Sequence, residues 1–262
     1  MKEEDELTHF YLGVAYSKIN QIDKAIEHYR LSTKYNPKFA LSHNNLGAEY
    51  VKIGQLDKAI MHYKLAIKYN PKFSNEIIYN NLGNTYSKLE QYDKTIVSYK
   101  LAIEKKDIFI DSYLNLGLAF EKRNELDKAE LCYQSAMRID PSNREIYIYL
   151  GNIYVKKGQM NDAITAYKFA RFYNPENPYT YIKLGNVYLE MGQIDEAIRE
   201  FKSAIKYKIN YAEAYYNLGK AYEEKGDEKV AVQSFKNYLK YASENEERRT
   251  EVEKKIEMFK ND

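Results

Sequence analysis

The eight residues YNNLGNTY, 79–86, decide how the chain is read. They read as helix, yet a glycine stands at their centre, with one tyrosine four residues before it and another three after. Glycine inside a helix costs about 1 kcal/mol relative to alanine. The Leu-Gly pair recurs at Leu12-Gly13, Leu46-Gly47, Leu82-Gly83, Leu116-Gly117, Leu150-Gly151, Leu184-Gly185 and Leu218-Gly219. The glycines are 34, 36, 34, 34, 34 and 34 residues apart. A fixed period of that size indicates stacked supersecondary units, each too small to bury its own apolar face.

Other positions keep step. With each Leu-Gly glycine numbered 8 of its repeat, position 4 holds His9, His43, Tyr79, Tyr113, Tyr147, Tyr181 and Tyr215. Position 11 holds Tyr16, Tyr50, Tyr86, Phe120, Tyr154, Tyr188 and Tyr222. Position 20 is alanine except at Thr95, and position 24 holds Tyr29, Tyr63, Tyr99, Tyr133, Tyr167, Phe201 and Phe235. The other four glycines, Gly54, Gly158, Gly192 and Gly226, each follow a Leu-Gly glycine by seven residues, where glycine suits a left-handed helix cap. Two helices per repeat follow, joined by a short turn and closed by Pro37, Pro71, Pro141 and Pro175 in four repeats. Seven mid-helix glycines would together cost about as much as a domain's net stability. Close helix–helix approach must offset that, and the alanine of position 20 marks the expected meeting point.

This pattern resembles the tetratricopeptide repeat (TPR) family, W-x₂-L-G-x₂-Y…A-x₃-F…P. Tyrosine or histidine stands here for tryptophan, Thr95 for one alanine, and Asp107 and Ile209 for two prolines. The resemblance implies an all-α, right-handed superhelical α-solenoid of seven helix-turn-helix repeats, at about 6–39, 40–73, 76–109, 110–143, 144–177, 178–211 and 212–243. The two extra residues between repeats 2 and 3 fall within PKFSNEIIYNN and predict a longer turn or helix start. Residues 244–262 predict a C-terminal capping helix and tail, with Val252, Ile256 and Phe259 on one face.

Composition narrows the function. Charged residues are 30% of 262, yet the net charge is only +2, so nothing marks the whole chain for nucleic acid or membrane. The single Cys132 allows no disulfide within the chain, which is compatible with a cytoplasmic location. The start, MKEEDELTHF, is acidic and lacks a signal-peptide core, and no stretch approaches the roughly 20 apolar residues of a membrane span. No Walker loop, GxGxxG, HExxH or GxSxG motif is present. His9, His43, His28, His62 and Cys132 fall into repeat register, and copies in successive repeats stand too far apart to share one zinc. The expectation is no enzyme, no cofactor and no metal.

What packing leaves over is one stripe of each first helix, at positions 2, 6, 9 and 13. Position 6 carries Asn45, Asn81, Asn115 and Asn217, and position 9 carries Asn84, Asn152 and Asn186. Asparagine is a middling helix former, but its amide both donates and accepts, so a row of them suits the backbone of an extended peptide. The row is similar to the asparagine ladder in the TPR domain of the O-linked N-acetylglucosamine transferase, which implies a peptide-binding role in a concave groove. Position 13 carries Lys18, Lys52, Lys88, Lys122 and Lys156, then Glu190 and Glu224. Five lysines predict attraction for acidic segments, although lysine also suits a helix C-terminus. The carboxylate clamp of chaperone-binding TPR domains lacks its basic members here: the matching positions are Asn80, Asn84, Asn115, Glu145 and Tyr149. The reading is a monomeric protein–protein interaction scaffold for an extended or acidic partner segment. The alternatives are a single-stranded RNA-binding solenoid, against which 16 of 28 tyrosines in core register slots argue, or a positioning subunit of an enzyme complex.

Overall fold

A computed structural model describes residues 2–71, 76–244 and 247–261 of the chain. The insertion between repeats 2 and 3 falls largely on 72–75, outside the described residues. The fold is an all-α helical-repeat solenoid. It divides into two compact units, Met1–Ile139 and Asp140–Asp262. The first contains α1 (Lys2–Lys18), α2 (Ile22–Tyr35), α3 (Ala40–Lys52), α4 (Leu56–Tyr69), α5 (Glu76–Lys88), α6 (Tyr92–Lys105), α7 (Ile110–Lys122) and α8 (Leu126–Ile139). The second contains α9 (Arg144–Lys156), α10 (Met160–Tyr173), α11 (Pro178–Glu190), α12 (Ile194–Tyr207), α13 (Ala212–Lys225), α14 (Glu228–Tyr241) and α15 (Arg248–Asn261). Odd-numbered helices up to α13 are the first, or A, helices of the repeats; even-numbered ones are the B helices. Within each unit an A helix packs on its own B helix, and that B helix on the next A helix.

The turn between A and B is set by position 15. Gly54, Gly158, Gly192 and Gly226 have φ of +72 to +80°, as a left-handed cap requires. The same conformation appears without glycine at Asn20, Glu90 and Asn124, with φ of 57 to 58°. At every turn the next residue's N–H bonds back to the carbonyl of the position-11 aromatic, as from Gln91 to Tyr86 at 3.0 Å and Gln159 to Tyr154 at 2.8 Å. At the B-to-A junction, proline is dispensable. α6 ends at Lys105 and α7 starts at Ile110 across Asp107, the same gap as between Ile139 and Arg144 across Pro141.

The mid-helix glycines meet a different partner from the one expected. A Cβ on Gly83 would lie 2.5 Å from Cε1 of Tyr99, and one on Gly13 would lie 2.6 Å from the ring of Tyr29. All seven Leu-Gly glycines face the position-24 ring in this way. The alanine of position 20 is fully buried nearby, but the ring occupies the notch. Thr95 fits that alanine slot because its hydroxyl donates to the Gln91 carbonyl at 3.0 Å.

The departure from tryptophan at position 4 also has a physical reason. The Tyr147 and Tyr181 hydroxyls donate to the carbonyls of Pro141 and Pro175 at 2.7 Å, and Nε2–H of His43 donates to Pro37 at 2.9 Å. A polar tip therefore satisfies the carbonyl left open where the preceding B helix stops. In the second unit, α15 closes the last pair: Val252 is fully buried and Ile256 nearly so, in one cluster with Tyr215, Phe235 and Tyr238. Phe259 packs against the same cluster. Bidentate contacts from Lys255 to Glu223 at 2.6 and 2.7 Å tie α15 to α13.

Candidate functional site

The asparagines of positions 6 and 9 divide into two kinds. The ring that fills each glycine notch carries its hydroxyl out toward the A-helix stripe. Tyr99 donates to Asn84 Oδ1 at 2.6 Å, and Tyr167 to Asn152 Oδ1 at 2.8 Å. Asn45 donates to the Tyr29 hydroxyl at 3.2 Å, and Asn115 Nδ2 donates to both Asn80 and Asn84 at 3.3 Å. These four amides are partly engaged by the fold itself. Asn81, Asn186 and Asn217 make no side-chain hydrogen bond among the described residues and are half-exposed. Asn186 is open because its repeat carries Phe201, which has no hydroxyl to offer. Tyrosine at position 24 with asparagine at position 9 was thus a legible sign of an internal bond. Burial raises the phenol pKa of Tyr29, Tyr63, Tyr99 and Tyr167, so these hydroxyls stay protonated donors.

Two recesses gather these side chains. In the first unit, Asn81, Asn84 and Asn115 converge with Lys88 around a cavity of about 400 Å³, which Val51 and Leu118 also line. In the second, Asn186 and Asn217 line about 420 Å³ together with Glu190, Glu213, Glu224, Lys220 and Arg248. The lysines are not equivalent. Lys18, Lys88 and Lys122 are exposed and carry no ion pair among the described residues. Lys52 instead meets the buried Glu49 at 2.8 Å and Ser17 Oγ at 3.1 Å, so its charge is neutralised locally. Lys156 holds the same register in α9, in the other unit. The first recess is therefore amide-rich and basic, the second amide-rich and of mixed charge.

The histidines do something that comparison of successive repeats missed. Positions 4 and 23 of one repeat meet: His9 Nδ1 lies 2.9 Å from His28 Nδ1, and His43 Nδ1 lies 3.0 Å from His62 Nδ1. Because His43 donates Nε2–H to Pro37, its Nδ1 accepts from Nδ1–H of His62. Tyr35 and Tyr16 flank the first pair, Tyr69 and Tyr50 the second, with ring centroids 5.2 to 5.5 Å apart. Burial, with His43 and Arg30 nearby, lowers the His62 pKa to about 4. Among the described residues no group of three or more His, Cys, Asp or Glu side chains could hold a metal ion. No described helix is long and apolar enough to cross a membrane.

Comparison with known proteins places the architecture. The model of the Cilia and flagella-associated protein 70 C-terminal domain, a TPR domain, matches residues 23–254. The chain belongs to this TPR family. Among solved structures it is similar to MamA, at 28% identity and TM-score 0.58, covering 67% of this chain and 94% of that one. It shares its fold with the C-terminal part of a TPR repeat-containing protein from Cytophaga hutchinsonii, at 16% identity and TM-score 0.78 over 93% and 98% of the two chains. A TPR protein from Parabacteroides merdae matches at 14% identity and TM-score 0.69 over 98% and 100%. No curated protein matches the chain.

Proposed function

We propose that the chain is a protein-interaction scaffold whose A-helix stripe holds an extended segment of a partner. What carries this reading is the amide-rich recess of the first unit, where Asn81, Asn84 and Asn115 meet beside Lys88. Amides pair with a peptide backbone whatever its side chains, and apolar lining from Val51 and Leu118 leaves room for one anchor. The exposed Lys18, Lys88 and Lys122 favour acidic residues in a segment held on the first unit. On the second unit Glu190, Glu213 and Glu224 stand beside Lys220 and Arg248, which suits a segment of mixed charge. Of the 28 tyrosines that stacking on single-stranded RNA could use, twelve are buried in the core and four are exposed, which disfavours the nucleic-acid alternative.

The test uses Asn81→Ala and Asn217→Ala, because neither side chain bonds within the fold. Peptides selected on the chain from a random library are retitrated against the double variant. Loss of two backbone-pairing amides predicts about a tenfold rise in Kd with an unchanged melting temperature. Unchanged affinity for every selected peptide contradicts the ladder.

A further inference from the structure

The B helices of the first unit carry a pattern that the groove does not use. Position 22 lies at the middle of their outward face. In three consecutive repeats it is apolar: Met61, Val97 and Leu131, exposed by 48, 57 and 62%. The same position in the second unit is polar, with Thr165, Arg199 and Gln233. One turn along, at position 25, stand Arg30, Lys64 and Lys100, all exposed. These basic residues reach toward the following repeat. Lys64 Nζ sits 5.9 Å from the Tyr86 ring centroid, Arg30 acts electrostatically on His62, and Lys100 acts on Cys132. Each basic residue therefore bears on the following repeat, Arg30 and Lys100 on its B helix and Lys64 on Tyr86 of its A helix. Solvation alone explains the polar face of the second unit but not three exposed aliphatic side chains in register.

We infer that α4, α6 and α8 form a second docking surface, on the side away from the groove, for an acidic amphipathic helix of a partner protein. These B helices pack on the A helices between them, so successive anchors stand somewhat more than one helix-packing distance, roughly 10 Å, apart. An α-helix advances about 10.5 Å in seven residues, so apolar residues at i, i+7 and i+14 match Met61, Val97 and Leu131. Carboxylates flanking that seam meet Arg30, Lys64 and Lys100. The aspartates at the B-helix starts sit one turn away. Of these, Asp93 is already paired with Arg123 at 2.5 Å, which leaves the basic row dominant beside Val97.

The probe is a fluorescent synthetic helix of about 18 residues with leucines at i, i+7 and i+14 and glutamates beside them, alongside a copy with lysine for every glutamate. Fluorescence anisotropy on the full chain is expected to show saturable binding of the acidic helix, weakened by salt, and none of the basic copy. Met61→Gln/Val97→Gln/Leu131→Gln is expected to raise Kd about tenfold, and Lys64→Glu/Lys100→Glu to do at least as much. All five positions are exposed, so circular dichroism should stay unchanged. Asn81→Ala/Asn217→Ala is expected to leave this binding intact, which separates the surface from the groove. Equal binding of both peptides overturns the inference, as does an unaltered Kd in the triple variant or no saturation by about 1 mM. Adsorption to phosphatidylserine vesicles that the triple variant loses, without any peptide binding, overturns it in favour of a membrane contact.

Discussion

Gly83→Ala tests the interlock that holds each repeat together. Helix propensity alone predicts that alanine stabilises α5 by about 1 kcal/mol. Packing predicts the opposite sign. The new Cβ would stand 2.5 Å from Cε1, 2.7 Å from Cδ1 and 3.0 Å from Cζ of Tyr99, a ring only 2% exposed. Carbon atoms prefer about 3.5–4.0 Å, so the ring must retreat by about 1 Å into a packed core. Overpacking of that kind costs about 1–3 kcal/mol. The retreat also pulls the Tyr99 hydroxyl from Asn84, now 2.6 Å away, at about 0.5–1.5 kcal/mol. After subtracting the propensity gain, Gly83→Ala should destabilise by about 2 kcal/mol. The readout is the urea midpoint together with native-state hydrogen exchange of α5 and α6, because repeat arrays can unfold in parts. In a Tyr99→Leu background the glycine substitution should cost at least about 1 kcal/mol less. A stabilised Gly83→Ala, or a cost indifferent to residue 99, refutes the reasoning.

Three further outcomes follow from particular contacts. Glu90 is held at φ +57° where four other repeats use glycine, so Glu90→Gly should raise the melting temperature, with a gain of about 1 kcal/mol. His62 is lowered to about 4 from 6.5, so its neutral form stabilises the fold fully above pH 6.5, and that contribution is lost as pH falls from 6.5 through 4. Allowing for partial solvent screening this amounts to about 1–2 kcal/mol, and His62→Ser should flatten stability measured by urea titration across that window. Val252 of α15 is fully buried against α13 and α14, so Val252→Asp should detach that helix at a cost of several kcal/mol, seen as fast amide exchange in α14 and α15.

Much of the fold was legible because its constraints are periodic. The Leu-Gly spacing fixed the repeat, and the second glycine fixed the turn. Periodicity could not say which side chain enters the glycine notch, since the alanine at position 20 and the ring at position 24 both keep step. Only the backbone distance decides that the ring does. The asparagine stripe was visible as composition on one helix face. Which amides the fold already holds was not, because that depends on hydroxyls reaching from the partner helix, as from Tyr99 to Asn84. The histidine pairs escaped for the same reason: positions 4 and 23 are 19 residues apart and meet only when helices A and B pack.

The central claim concerns where a guest segment lies, and the side-chain amide signals of asparagine report on it directly. With the amides labelled with nitrogen-15, a library-selected peptide is titrated in and each NH₂ pair is followed. The account predicts saturating shifts at Asn81, Asn186 and Asn217 and smaller responses at Asn115, whose NH₂ already donates to Asn80 and Asn84, and at Asn152, whose carbonyl already holds Tyr167. Saturation of binding while these signals stay still would contradict it.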